Sequence, residues 1–133
     1  MRESPKIMEK TKKKKILIVD DEPFLVRALR EKLETEGFLV DSAADGQAGL
    51  DVVFSLAPDL ILLDLVMPKM DGMAMLRKLR QDERGKKIPV IVLSNLNNAK
   101  SIDASLAAGA QKFLVKVNNS LDDIVCAVKS QLK

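Results

Sequence analysis

Four short apolar runs punctuate the chain, and each stops at a polar residue. Ile16-Leu17-Ile18-Val19 stops at Asp20, Leu60-Ile61-Leu62-Leu63 at Asp64, Val90-Ile91-Val92-Leu93 at Ser94, and Phe113-Leu114-Val115 at Lys116. Continuous rather than alternating apolar positions suit strands covered on both faces. Phe38-Leu39-Val40 is shorter and turns polar at Asp41, as an edge strand would.

Between the runs the period changes to that of a helix. From Pro23 to about Glu36, Leu25, Ala28, Leu29 and Leu33 mark one face, with Arg27–Glu31 and Arg30–Glu34 as i,i+4 pairs opposite and Gly37 as the stop. Asp45 opens a second helix carrying Ala48, Val52, Val53 and Leu56, which ends before Pro58. Asp71 opens a third, with Met75, Leu76 and Leu79 inward, and is assigned as its cap. A fourth covers about Ala99 to Ala108 and ends at Gly109. A fifth starts near Asn119, capped by Asn119 or Ser120, with Leu121, Ile124, Val125, Val128 and Leu132 at core spacing. Five β–α units predict an α/β fold, a parallel five-stranded sheet with helices on both faces. The expected form is a single flavodoxin-like, doubly wound (βα)5 domain with strand order 2-1-3-4-5.

In such sheets functional groups gather at the carboxyl ends of the strands. Those ends carry Asp20-Asp21, Asp64, Ser94 and Lys116. Three carboxylates converging on one edge repel each other and call for a cation, and hard oxygen ligands favour Mg²⁺ or Mn²⁺. The chain has no histidine and one cysteine, Cys126, which argues against zinc and against His-assisted nucleophilic catalysis. A carboxylate is a competent nucleophile toward phosphorus, and phosphoryl transfer needs charge neutralisation and alignment above all.

The residues at these ends also resemble a known family. Ile16 to Pro23, Asp64-Leu65-Val66-Met67-Pro68-Lys69-Met70-Asp71-Gly72, Val92-Leu93-Ser94 and Phe113-Leu114-Val115-Lys116 are similar, in order, to the signature segments of response-regulator receiver domains (CheY-like) of two-component signalling, over about residues 14–132. The resemblance implies that Asp64 is the phosphoacceptor. Asp21 would bind the metal directly, Asp20 through water, and Asp64 and the Val66 backbone carbonyl would complete the set. Lys116 would pair with Asp64 or a phosphoryl oxygen, Ser94 would hydrogen-bond the phosphoryl group, and Ser94 with Phe113 would form the switch. Val66, Asn95 and Leu96 would gate the approach to the phosphoryl group. Simpler roles exist for several of these: Asp20 and Asp21 as caps of the first helix, Ser94 as a turn residue, Phe113 as plain core.

The chain departs from the family pattern at three places. The family has proline after the conserved lysine, joined by a cis peptide, where this chain has Val117, and a trans bond is expected here. Asn95 is bulkier than the small residue common at its position, so it would narrow access or hydrogen-bond the phosphoryl group. Ser94 stands for the commoner threonine and keeps the hydroxyl.

The expected function is therefore that of a receiver accepting a phosphoryl group on Asp64 from a histidine kinase or phosphotransfer protein, in a Mg²⁺-dependent reaction. It would signal through the face formed by the fourth helix, fifth strand and fifth helix. Catalysis would be confined to its own phosphorylation and dephosphorylation. A pseudo-receiver that only binds proteins is the alternative. A Mg²⁺-dependent phosphatase with an aspartyl intermediate is disfavoured, because the position two residues past Asp64 is Val66 rather than an acid.

Charge changes this picture little. Residues 1–15 hold seven basic and two acidic groups, so the net +3 of the whole chain leaves −2 for the other 118 residues. Residues 1–14 read as a basic, solvated leader and 15–133 as the receiver domain. With no aromatics in the leader, direct DNA binding is not expected. The absence of a long apolar run or a secretory leader predicts a cytoplasmic protein off the membrane. A stand-alone domain, with a phosphorylation-dependent dimer allowed, is the expected form.

Overall fold

A computed structural model describes residues 13–96 and 98–133; most of the basic leader lies outside the described residues. The elements run β1 (Lys15–Val19), α1 (Pro23–Thr35), β2 (Leu39–Ala43), α2 (Gly46–Leu56), β3 (Leu60–Leu63), α3 (Gly72–Gln81), β4 (Val90–Ser94), α4 (Ala99–Ala107), β5 (Lys112–Val115) and α5 (Leu121–Gln131). Short 3-10 turns at Glu83–Gly85 and Lys116–Asn118 follow α3 and β5. The sheet is parallel throughout, in the order β2-β1-β3-β4-β5. The α/β flavodoxin-like architecture is as expected.

The apolar runs form the strands because each of their residues has a helix layer to meet. Ile16, Ile18, Leu60, Leu62, Ile91 and Leu93 pack on one side with α1 and α5, through Leu29, Leu33, Ile124, Val125 and Val128. Leu17, Val19, Ile61, Leu63, Val90 and Val92 pack on the other with α2 and α3, through Val53, Met75, Leu76 and Leu79. At about 25 cal/mol per Å² of apolar surface, burying one such side chain contributes roughly 1.5–3 kcal/mol before chain entropy is charged against it. α4 is the exception: of its residues only Ser105 is fully buried.

Three helix starts obey their sequence signals. Asp45 accepts from the Ala48 N–H and Asp71 from the Ala74 N–H, each at 2.8 Å. Ser120 and Asp123 form a reciprocal capping box on α5. That box chooses Ser120 of the two expected caps and starts α5 at Leu121, the first residue of its apolar spacing; residues 116–118 form the 3-10 turn before it. β2 runs on through the polar Asp41 and Ser42 and leaves Phe38 out. It is an edge strand whose polar residues are exposed, so its ladder with β1 rather than its apolar content sets its length. On α1, Arg30 reaches Glu34 only at 3.9 Å and gives its better hydrogen bond, 2.6 Å, to the Val40 carbonyl. No ion pair joins Arg27 and Glu31 among the described residues.

Candidate functional site

The register of the ladder brings the four strand ends level. Val19 pairs with Leu63, Leu63 with Val92, and Ser94 with Val115. The next residues of β1, β3 and β5, namely Asp20, Asp64 and Lys116, therefore emerge along one edge with Ser94. Gly72 holds the loop after β3 against this edge: its N–H donates to the Leu65 carbonyl at 3.0 Å. A Cβ at residue 72 would lie 2.1 Å from the Asp64 carbonyl oxygen, so no side chain fits there. Lys69 turns the same loop with a φ of +64°, in the left-handed region.

Asp20, Asp21 and Asp64 each present an oxygen within 4.8 Å of the others. Asp20 and Asp64 are buried and Asp21 is exposed. Asp20 Oδ1 accepts the Glu22 N–H at 2.9 Å, so Asp20 shapes the turn into α1 but is not its cap; that position is Glu22. Asp64 Oδ1 accepts the Val66 N–H at 3.3 Å, and its Oδ2 accepts from Lys116 Nζ at 3.0 Å. Lys116 also pairs with Asp20 Oδ2 at 2.9 Å and with Glu22. Among the described residues nothing donates to the Asp21 carboxylate.

Glu22 is the group that the strand-end reasoning missed. It lies two residues beyond Asp20, on the step into α1, and only the acidic triplet Asp20-Asp21-Glu22 hinted at it. With Glu22 counted, the edge holds four carboxylates, three of which share the Lys116 ammonium. The consequences for ionisation follow. Burial pushes the Asp20 carboxyl up, against the Glu22 N–H and Lys116, which pull it down. Burial works against the Lys116 ammonium, but Glu22, Asp20 and Asp64 together raise its pKa above the ordinary lysine value. An edge with four acids and one base, two of the acids buried, has the donor set and the charge deficit that suit a hard divalent cation.

A cleft of about 440 Å³ opens beside these groups, lined by Asp21, Glu22, Asp64, Val66, Ser94, Asn95, Leu96 and Lys116. All three candidate gate residues are thus in it, with Val66 and Leu96 largely exposed. Ser94 is buried and accepts the Leu96 N–H at 3.2 Å, which leaves its O–H as a donor. Asn95 Oδ1 accepts the Val117 N–H at 3.0 Å. No peptide bond among the described residues is cis, the Lys116–Val117 bond included. Phe113 is half-buried on β5 and packs against the α2–α3 side of the sheet. Cys126 is exposed on α5, away from the cleft.

A model of the response regulator receiver domain matches residues 16–129, nearly the whole chain. The chain belongs to the response regulator receiver domain family. Among curated proteins it is 35% identical over 119 residues to the DNA-binding dual master transcriptional regulator RpaA of Synechocystis sp., covering 90% of this chain and 49% of that one. Among solved structures it resembles a CheY-like receiver domain protein from Methanospirillum hungatei (28% identity, TM-score 0.84, 91% of this chain and 94% of that one). It also resembles the Mn²⁺-bound form of the response regulator Rcp1 (31%, TM-score 0.78, 88% and 92%). The receiver spans about half the length of the first curated relatives it matches. No helix among its described residues is long and apolar enough to cross a membrane.

Proposed function

We propose that this receiver takes a phosphoryl group onto Asp64 from a phosphohistidine of a sensor kinase or phosphotransfer protein, with Mg²⁺ held at the acid cluster. The observation that carries the reading is the convergence of Asp20, Asp21 and Asp64 within 4.8 Å around the lysine that also holds Asp64. Asp20, Asp21, Asp64 and the Val66 carbonyl would hold the ion, which when bound would offset charge on the transferring group. Asp21 is the better direct ligand, since it faces the cleft without a protein donor, while Asp20 is already engaged by Lys116 and the Glu22 N–H.

The remaining chemistry is carried by the chain's own side chains. One Asp64 oxygen attacks phosphorus as the P–N bond to the donor imidazole breaks. Lys116, 3.0 Å from Asp64 Oδ2, moves its interaction from the carboxylate to a phosphoryl oxygen as negative charge transfers. The Ser94 O–H donates to a second oxygen. Phe24 and Val117, exposed beside the cleft with Val66 and Leu96, would meet the donor protein's surface.

The signal would leave through α4, β5 and α5. α4 has the fewest buried residues of the five helices and no buried apolar side chain, so its displacement costs least when Ser94 and its loop shift toward the phosphoryl group. Phe113, half-buried on β5, would follow. Incubation with a small phosphoramidate, a model of phosphohistidine, tests the proposal: label should accumulate on the chain in Mg²⁺ and not in EDTA. Equal labelling in both would contradict the metal-assisted mechanism, and a phosphate-independent binding module would take no label at all.

A further inference from the structure

Two of the positions at which the chain departs from the receiver pattern touch each other. Asn95 Oδ1 accepts the backbone N–H of Val117 at 3.0 Å, a bond spanning 22 residues of sequence. A backbone N–H only donates, so the contact fixes the carbonyl end of the Asn95 amide on residue 117. Val117 is 75% exposed, and its side chain gives the fold little; what position 117 supplies is its N–H. Proline there would have none.

The bond joins two loops that carry different parts of the site. Asn95 follows directly on Ser94, at the end of β4. Val117 is the second residue of the 3-10 turn Lys116–Asn118, whose first residue provides the ammonium paired with Asp64. The other ties on this turn come from Asn119: its N–H to the Lys116 carbonyl at 3.3 Å and its Nδ2 to the Val115 carbonyl at 2.8 Å. Both lie within the turn's own segment. The Asn95 bond comes from the end of the neighbouring strand, β4.

We propose that Asn95 is a positioning residue for Lys116: by holding the Val117 N–H, its side-chain carbonyl sets the turn that aims the ammonium at Asp64. A chain without proline at 117 gains an N–H, and Asn95 accepts it, so the two departures form one unit. The inference rests on the receiver reading, because it takes the position of Lys116 to govern phosphorylation of Asp64. It also opposes the simpler expectation that Asn95 only narrows the donor's path. On that expectation shortening the side chain speeds the reaction, whereas loss of the tie slows it.

The test measures initial rates of phosphorylation of the full chain by a small acyl phosphate in saturating Mg²⁺. Mg²⁺ affinity and melting temperature are followed in parallel. Asn95→Ala and the similarly sized, acceptor-free Asn95→Leu should both be slower than wild type by about three- to tenfold, the scale of one neutral hydrogen bond. Their Mg²⁺ affinity should be unchanged, a combination that general loosening of the fold would not give. Val117→Pro removes the donor, and Asn95→Ala combined with Val117→Pro should be no slower than the slower single variant, since both delete the same bond. If Val117→Pro does not fold, the two Asn95 variants decide. The inference is overturned if Asn95→Ala reacts as fast as wild type or faster, or if the two losses multiply in the double variant. A wild-type chain that takes no phosphoryl group would instead sink the receiver reading before any variant is compared.

Discussion

Replacing Asp20 by Asn should stabilise the metal-free protein and weaken its response to Mg²⁺. Asp20 is buried, yet it stands within 4.8 Å of both Asp21 and Asp64. With an effective dielectric constant of about 20, the repulsion from buried Asp64 at that separation costs about 3.5 kcal/mol when both are ionised, and solvent screens the repulsion from exposed Asp21 to less. The attraction to Lys116 at 2.9 Å returns about 6 kcal/mol on the same scale. The attraction offsets the repulsions, and burial of the charge, the largest influence on Asp20, sets the sign. Asn keeps the oxygen that accepts the Glu22 N–H, so the turn into α1 survives the change. The expected gain in EDTA is about 1–2 kcal/mol, or roughly 3–10 °C in melting temperature for a domain of this size. Wild type should recover on adding Mg²⁺, by about 1.4 kcal/mol at ten times the dissociation constant, whereas Asp20→Asn should recover less at the same Mg²⁺ concentration. Melting followed by circular dichroism, with and without Mg²⁺, reads both effects. A lower melting temperature for Asp20→Asn in EDTA would show that Lys116 outweighs the neighbouring acids, and the electrostatic account of the cluster would be wrong.

Other outcomes follow from the same geometry. Asp21→Ala should weaken Mg²⁺ binding more than Asp20→Ala, by isothermal titration, since Asp21 faces the cleft unpaired; the reverse order would exchange their roles. Phosphorylated protein should decay at least about tenfold more slowly than its Val66→Asn variant once the donor is removed, because Val66 and Leu96 line the approach and cannot hydrogen-bond an attacking water. Equal decay rates would remove the apolar gate. Gly72→Ala forces a Cβ onto the Asp64 carbonyl and should slow phosphorylation and lower the melting temperature together; unchanged kinetics would mean the loop after β3 can move without disturbing Asp64.

The parts of this molecule legible in its sequence are those governed by local period and by chain order. Ile16–Val19 and Leu60–Leu63 announce themselves because both their faces are covered, and Asp45, Asp71 and Ser120 because a cap needs only the next turn of chain. The ends of these runs then place Asp20, Asp64, Ser94 and Lys116 together once the sheet is parallel. What was not legible depends on distances between loops. The pairing of Glu22 with Lys116 spans 94 residues. The Asn95–Val117 bond and the grip of Arg80 on the Gly85 and Gly109 carbonyls likewise join segments with no common period. The Lys116–Asn118 3-10 turn before α5 was not legible for a related reason: its residues carry no pattern of their own.

The account's central claim is that Asp64 is the one carboxylate that takes the phosphoryl group. Intact mass measurement after incubation with a small acyl phosphate and Mg²⁺ tests it most directly. Wild type should gain the mass of a single phosphoryl group, and Asp64→Asn, which retains the Lys116 contact and the fold, should gain none. Undiminished labelling of Asp64→Asn, or a wild-type chain that stays unmodified while binding Mg²⁺, would contradict it.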